Sequence, residues 1–171
     1  LINNAGGAFD SISIDKADPA VWQKTYEVNV IGALRITKAL LPNLRSNSSS
    51  HIVVVTSTAG HGVYENGGSY TSAKYAELAF TQTLRLELNG EPIRVTEIAP
   101  GMVKTEEFSL NRLGDVQAAE KVYEGVAAPL SASDIAEAIR WSVMLPAHVN
   151  IDSMIVRPVA QAANHKIHRQ K

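Results

Sequence analysis

Residues 51 to 57, His51-Ile52-Val53-Val54-Val55-Thr56-Ser57, decide the fold. From Ile52 to Thr56 the run is almost wholly β-branched and lacks polar alternation, so it reads as a strand of a parallel sheet covered on both faces. Ser57 stands where that strand ends. In open α/β sheets ligands gather beyond the carboxyl ends of the strands, which puts a hydroxyl where chemistry usually happens. A glycine-bearing loop follows. Tyr70 and Lys74 then come at the i, i+4 spacing of a helix, which sets a phenol and an ammonium on one face.

These three side chains suit proton transfer at an alcohol or carbonyl oxygen. A free tyrosine has a pKa of roughly 10, too high for a base at neutral pH. A neighbouring ammonium favours the phenolate and brings it toward the working range of a general acid/base. Ser57 can hold the same substrate oxygen by a hydrogen bond. No side chain carries a hydride, so the chemistry requires a nicotinamide cofactor.

Further motifs lie in order around this stretch: Asn3-Asn4-Ala5-Gly6, Asn29 in Asn-Val-Ile-Gly, Ser57 in Thr-Ser-Thr-Ala-Gly, Tyr70-x-x-x-Lys74, and Pro100-Gly101-Met102-Val103 leading to Thr105. With these the chain resembles the short-chain dehydrogenase/reductases over nearly its whole length. Tyr70-x-x-x-Lys74 alone is a weak signal; five motifs in one order and spacing are a strong one. Glu107-Phe108-Ser109, Leu145 to Ile151 and the His168-Arg169-Gln170 ending resemble the branch of NADP-dependent 3-hydroxy acid (serine, allo-threonine) dehydrogenases.

The resemblance implies a doubly wound, Rossmann-like α/β fold and a role for each motif. Tyr70 gives or takes the hydroxyl proton, Lys74 tunes it and holds the nicotinamide ribose, Ser57 orients the substrate oxygen, and Asn29 supports a relay to water. Asn4, Ala5, Gly6, Tyr70, Lys74, Pro100, Gly101, Val103 and Thr105 are the implied cofactor-binding positions. The cofactor is NADP by resemblance to that branch, with NAD left open. Substrate contacts fall to Ser57 and Tyr70, and to Arg112 if it pairs with a carboxylate. Symmetric homodimers or homotetramers of the intact protein are implied as well.

Composition narrows the classes. Hydrophobic residues make up 45% and charged residues 19% of 171 positions, ordinary for one soluble globular domain spanning 1–171. There are no cysteines, hence no thiolate metal site or thiol nucleophile, and a cytoplasmic setting is expected. No apolar run approaches a membrane span, and a net charge of −1 without a large basic block argues against nucleic acid. No metal site is expected: His165 and His168 lack a carboxylate or cysteine partner. The first residues read as the end of a strand, and no glycine-rich phosphate loop is present. Roughly three βα units, about 90 residues at ~30 each, are expected to precede this chain in an intact enzyme. By itself the chain is expected to bind cofactor poorly.

Along the chain, Asp18-Pro19 starts a helix running to about Leu44, with Val28, Ile31, Ile36, Leu40 and Leu44 on its apolar side. Either His61 or Tyr64 can line the substrate pocket, with a solvated loop role favoured for His61. A helix from about Ser69 to Leu88 packs through Leu78, Leu84 and Leu88, with Tyr75 also assigned to packing. Ile93 to Ala99 form a strand. Residues 104–130 suit a substrate lid, Ser131 to Asp134 a capping box, Asn150 to Val156 the last strand, and 165–171 a solvated or interface tail. Two other readings accompany the 3-hydroxy acid dehydrogenase. One is a reductase of another aldehyde or ketone; the other is a non-catalytic binding or assembly protein of the same fold.

Overall fold

The protein is described by a computed structural model that covers residues 1–105 and 107–170. Among these residues a four-stranded, wholly parallel sheet runs in the order β1 (Ile2–Asn3), β2 (Ser50–Val55), β3 (Ile93–Pro100), β4 (Ser153–Val156). Helices cover both faces. On one side lie α1 (Pro19–Tyr26), a π-helical turn (Glu27–Ile31), α2 (Gly32–Arg45) and α3 (Gly68–Glu87), and their apolar contacts fall on Ile52, Val54 and Val95. The other side takes Val53 and Ile98 against α6 (Ala132–Val143) through Ile135. The β-branched run is therefore buried on both faces, which is why it shows no polar alternation.

The helix from Pro19 to Arg45 is interrupted, and this corrects its expected apolar face. Asp18 caps it through Ala20 N at 2.8 Å, with Pro19 at the first position as expected. A π turn carries one extra residue, so it rotates the downstream face by about a hundred degrees, one residue's share of a 3.6-residue turn. The inward stripe becomes Val30, Ala33, Thr37, Leu41 and Leu44, while Ile36 and Leu40 face outward. On α3, Leu84 and Leu88 are buried as expected, but Tyr75 is exposed. The Ser131–Asp134 capping box forms as the sequence indicates.

After β3 come α4 (Phe108–Leu113) and α5 (Val116–Lys121), two short helices within the region 104–130; Glu106 lies outside the described residues. The end of the chain is not a free tail. It forms the hairpin β5 (Gln161–Ala163) and β6 (Lys166–Ile167), and Gln170 N donates to Gly125 O at 2.7 Å. The Arg169 guanidinium also donates to the carbonyls of Glu124 and Val122. Lys171 lies outside the described residues.

Candidate active site

The site is assembled where β2 gives way to α3. Ser57 ends the strand in extended backbone, and its Oγ accepts from Ala59 N at 3.1 Å, turning the chain into a short 3-10 segment, Thr58–Gly60. The same hydroxyl donates to the Pro100 carbonyl at 3.4 Å, tying the end of β2 to the Pro100-Gly101 turn. At Gly60 this loop presses directly on α3: a Cβ there would stand 2.8 Å from the Lys74 carbonyl oxygen. Glycine is required by that approach.

Tyr70 and Lys74 lie one turn apart on the buried face of α3. The Lys74 Nζ is 5.7 Å from the centre of the Tyr70 ring. It donates to Val55 O at 3.2 Å and to Glu77 Oε2 at 2.6 Å. Tyr70 shares a small apolar cluster with Ala8 and Ala59, bordered by Tyr64 and Phe108. Phe108, from α4, meets the Tyr70 ring edge-on with centroids 5.3 Å apart.

Asn29 sits in the π turn, fully buried, and holds the loop after β1. Its Nδ2 donates to Gly7 O at 2.8 Å and to Thr25 O at 2.7 Å, and its Oδ1 accepts from Gly7 N at 3.1 Å. Both amide hydrogens are used, so acceptor capacity at Oδ1 is what remains. That oxygen and Lys74 Nζ converge on Gly6, where a Cβ would lie 2.5 Å from the first and 3.2 Å from the second. Asn4, Ala5 and Gly6 are themselves exposed beside this convergence.

The remaining predicted positions are more dispersed. Met102 N, after the Pro100-Gly101 turn, donates to Gln161 Oε1 at 2.8 Å, and Val103 makes a bridge to Leu130. The Thr105 hydroxyl accepts from Phe108 N at 3.4 Å, at the start of α4. Arg112 lies beside Tyr64. Its guanidinium lies 6.0 Å from the centre of the Tyr64 ring, and its buried Nε has no hydrogen-bond partner among the described residues. It borders a cleft of about 300 Å³ together with Asp10, Lys16 and Asp18.

Three acidic and basic groups were not anticipated. Glu77 and Glu97 are both 1% exposed. Glu97 accepts from Thr56 Oγ1 at 2.5 Å and Ser153 Oγ at 2.6 Å, and pairs with His61 Nε2 at 2.8 Å. His61 is thus a partner of a buried carboxylate and not a solvated loop residue. Burial pushes the Glu77 carboxyl up, Lys74 pulls it back down, and Glu97 adds to the rise. A glutamate inside the apolar run of β3, and another three residues beyond Lys74 on the same helix face, were the available signals.

Residues 1–113 match the short chain dehydrogenase family. The NADP-dependent 3-hydroxy acid dehydrogenase YdfG of Escherichia coli (strain K12) is 39% identical over 172 residues, covering 99% of this chain and 69% of that protein. An uncharacterized oxidoreductase of Mycobacterium tuberculosis is 49% identical over 148 residues, 86% of this chain, and the match spans 58% of that relative's length. Among solved structures, the closed form of a serine dehydrogenase complexed with NADP+ superposes with a TM-score of 0.92 at 38% identity, covering 99% of this chain and 69% of that one. On the family match and these identities, the chain belongs to the short-chain dehydrogenases.

Proposed function

We propose that the chain supplies the proton-transfer machinery of an NADP-dependent dehydrogenase that interconverts a small 3-hydroxy acid, such as serine, allo-threonine or 3-hydroxypropionate, and its carbonyl form. The observation that carries this reading is the Lys74 ammonium buried 5.7 Å from the Tyr70 ring centre, beside the strand end that bears Ser57. Tyr70 gives or takes the proton at the alcohol oxygen. Ser57 holds that oxygen in place. The Lys74 charge favours the phenolate, and Asn29, through Oδ1, accepts from a relay water.

The residues present fit a nicotinamide cofactor. The space above Gly6 is kept open by the lack of a side chain, and it is faced by the Lys74 ammonium and the Asn29 amide oxygen. Asn4, Ala5, Gly6, Lys74, Tyr70, Pro100, Gly101, Val103 and Thr105 would hold the group. When bound, NADP supplies the hydride acceptor or donor that no side chain offers. The NADP preference is supported by the E. coli relative and by the NADP+-bound serine dehydrogenase, as is the 3-hydroxy acid class.

Residues 104–130 act as the lid. Phe108 against Tyr70 supports this, because the contact covers the phenol from the side of α4. Arg112 supplies the carboxylate contact once the acid is bound; its unpartnered Nε supports that role. The outward face of α1 and α2, with Tyr26, Leu34, Ile36 and Leu40 all at least 40% exposed, supports a homo-oligomer of the intact enzyme, to be measured by light scattering. The function is tested by following NADPH absorbance with an enzyme containing this chain. Expected is turnover of 3-hydroxy acids above uncharged alcohols of the same size, with Arg112→Lys erasing about tenfold of that preference, the value of one charge-assisted bond. Equal rates on both classes would remove the 3-hydroxy acid assignment.

A further inference from the structure

Lys74 does not face Tyr70 as a lone cation. Its Nζ gives its shortest hydrogen bond, 2.6 Å, to Glu77 Oε2, and both side chains are almost completely buried, at 4% and 1%. The i, i+3 spacing on α3 makes the contact a property of the helix face. A carboxylate at that distance opposes the field of the ammonium at the phenol, and it fixes the direction in which the ammonium points. Removing one member of a buried pair leaves the other charge uncompensated.

The surroundings determine what this pair responds to. The titratable groups facing it are Tyr70 on α3 and Glu97 on β3, and through Glu97 the His61 imidazole from the loop after β2. The loop after β1 and the π turn bring only uncharged partners to Lys74, Gly6 and the Asn29 amide. Glu97 accepts from two hydroxyls and meets His61, so its oxygens are engaged by partners other than Lys74 and Glu77. Proton uptake at Glu77, favoured by its burial, would release the full charge of Lys74 toward Tyr70.

From this geometry we infer that Glu77 is a positioning residue of the proton-transfer site, which anchors the Lys74 ammonium and screens its charge so as to set the pH at which Tyr70 works. The inference rests on the reading of Tyr70 as the acid/base, and it goes beyond that reading by assigning a counter-charge to Lys74.

The test compares the parent with Glu77→Gln, which keeps the shape and can still accept from Lys74. Glu77→Met is the second variant. Phenolate absorbance is titrated without cofactor or substrate, and the Tyr70 contribution is taken as the difference from the same protein carrying Tyr70→Phe. Expected is phenolate appearing about one pH unit lower in both variants, the usual size for removing a close charge. The acid limb of the kcat/KM profile for alcohol oxidation should move the same way, about tenfold in rate on that limb. An unmoved titration in a folded variant overturns the inference, as does loss of fold in both variants, which would make Glu77 a core residue alone. If the parent turns over no alcohol or carbonyl substrate, the proposed function fails, and the cofactor-free titration still reads Glu77.

Discussion

The two faces of the sheet bury polar groups at opposite ends of the strands and use them differently. Toward α2 and α3, Ile52, Val54 and Val95 fill the middle, and Thr56, Lys74, Glu77 and Glu97 gather at the carboxyl ends. Toward α6, Val53 and Ile98 fill the middle, and His51 and Arg94 sit near the amino ends of β2 and β3. At the carboxyl ends, side chains bond mainly to side chains, and ionisable atoms stay beside Tyr70. At the amino ends Arg94 spends its guanidinium on the carbonyls of Ser142 and Val143, at 3.1 and 3.0 Å, closing the end of α6. On the proposed function, one face serves chemistry and the other holds a helix. The comparison breaks if changes on either face have the effect assigned to the other.

The largest effect is expected at Tyr70→Phe. It removes the only hydroxyl proposed to exchange the substrate proton, so turnover should fall by about a thousandfold, within the usual range for a general acid/base. The unfolding free energy should move by no more than about 0.5 kcal/mol. Steady-state rates beside urea unfolding check both halves, and retained turnover would detach the α3 face from catalysis. On the other face, Arg94→Met keeps the stem and deletes the bonds to the α6 carbonyls. Stability should drop by about 2 kcal/mol, the worth of hydrogen bonds to a charged group. Turnover per folded molecule should stay unchanged; a fall in kcat at full folding would mean that the α6 face reaches the site.

Gly60→Ala sharpens the comparison from within the chemical face. Its new methyl would need the 2.8 Å gap to the Lys74 carbonyl to widen, which shifts the Ser57 loop away from α3. A loss of about 1–2 kcal/mol is expected, as for overpacking, accompanied by a drop in kcat. A stability loss alone would show that the loop can move without disturbing Ser57 and Lys74.

What the sequence made legible was local. Ser57, Tyr70 and Lys74 could be read because a strand end and a helical i, i+4 spacing fix their directions without knowledge of the rest of the chain. The unbroken burial of Ile52 to Val55 followed from residue type in the same way. Illegible features depend on contacts across the chain. His61 meets Glu97 over a separation of 36 residues, and nothing near His61 marks it as a partner. The π turn escaped because one additional residue in a helix leaves no compositional trace, yet it decided which of Ile36 and Thr37 faces inward. The docking of Arg169 and Gln170 on residues 122–125 was invisible for the same reason, since a basic tail reads as solvated until its acceptors are known. Glu77 is nearer in sequence, at i+3 from Lys74, but a glutamate on a helix is usually solvated, so residue type alone does not mark the pairing.

The smallest effect sharpens the α6 face through pH. His51 Nε2 meets Thr96 Oγ1 at 2.7 Å, and its ring is half-buried. Burial first, then the Arg94 charge, lower its pKa from 6.5 to about 4. A depressed folded-state value means that protonation favours the unfolded chain. The contribution of neutral His51 is therefore fully present above pH 6.5 and is lost as pH falls from 6.5 through about 4. For a ring this exposed to screening, about 1 kcal/mol is expected across that window. Urea unfolding at pH 7 and pH 4.5 should show this loss in the parent and a smaller one in His51→Gln. Arg94→Met should also narrow it, because part of the depression comes from that guanidinium. An unchanged pH dependence in both variants would mean that His51 and Arg94 do not act on each other, and that the amino-end polar groups of this face are independent caps.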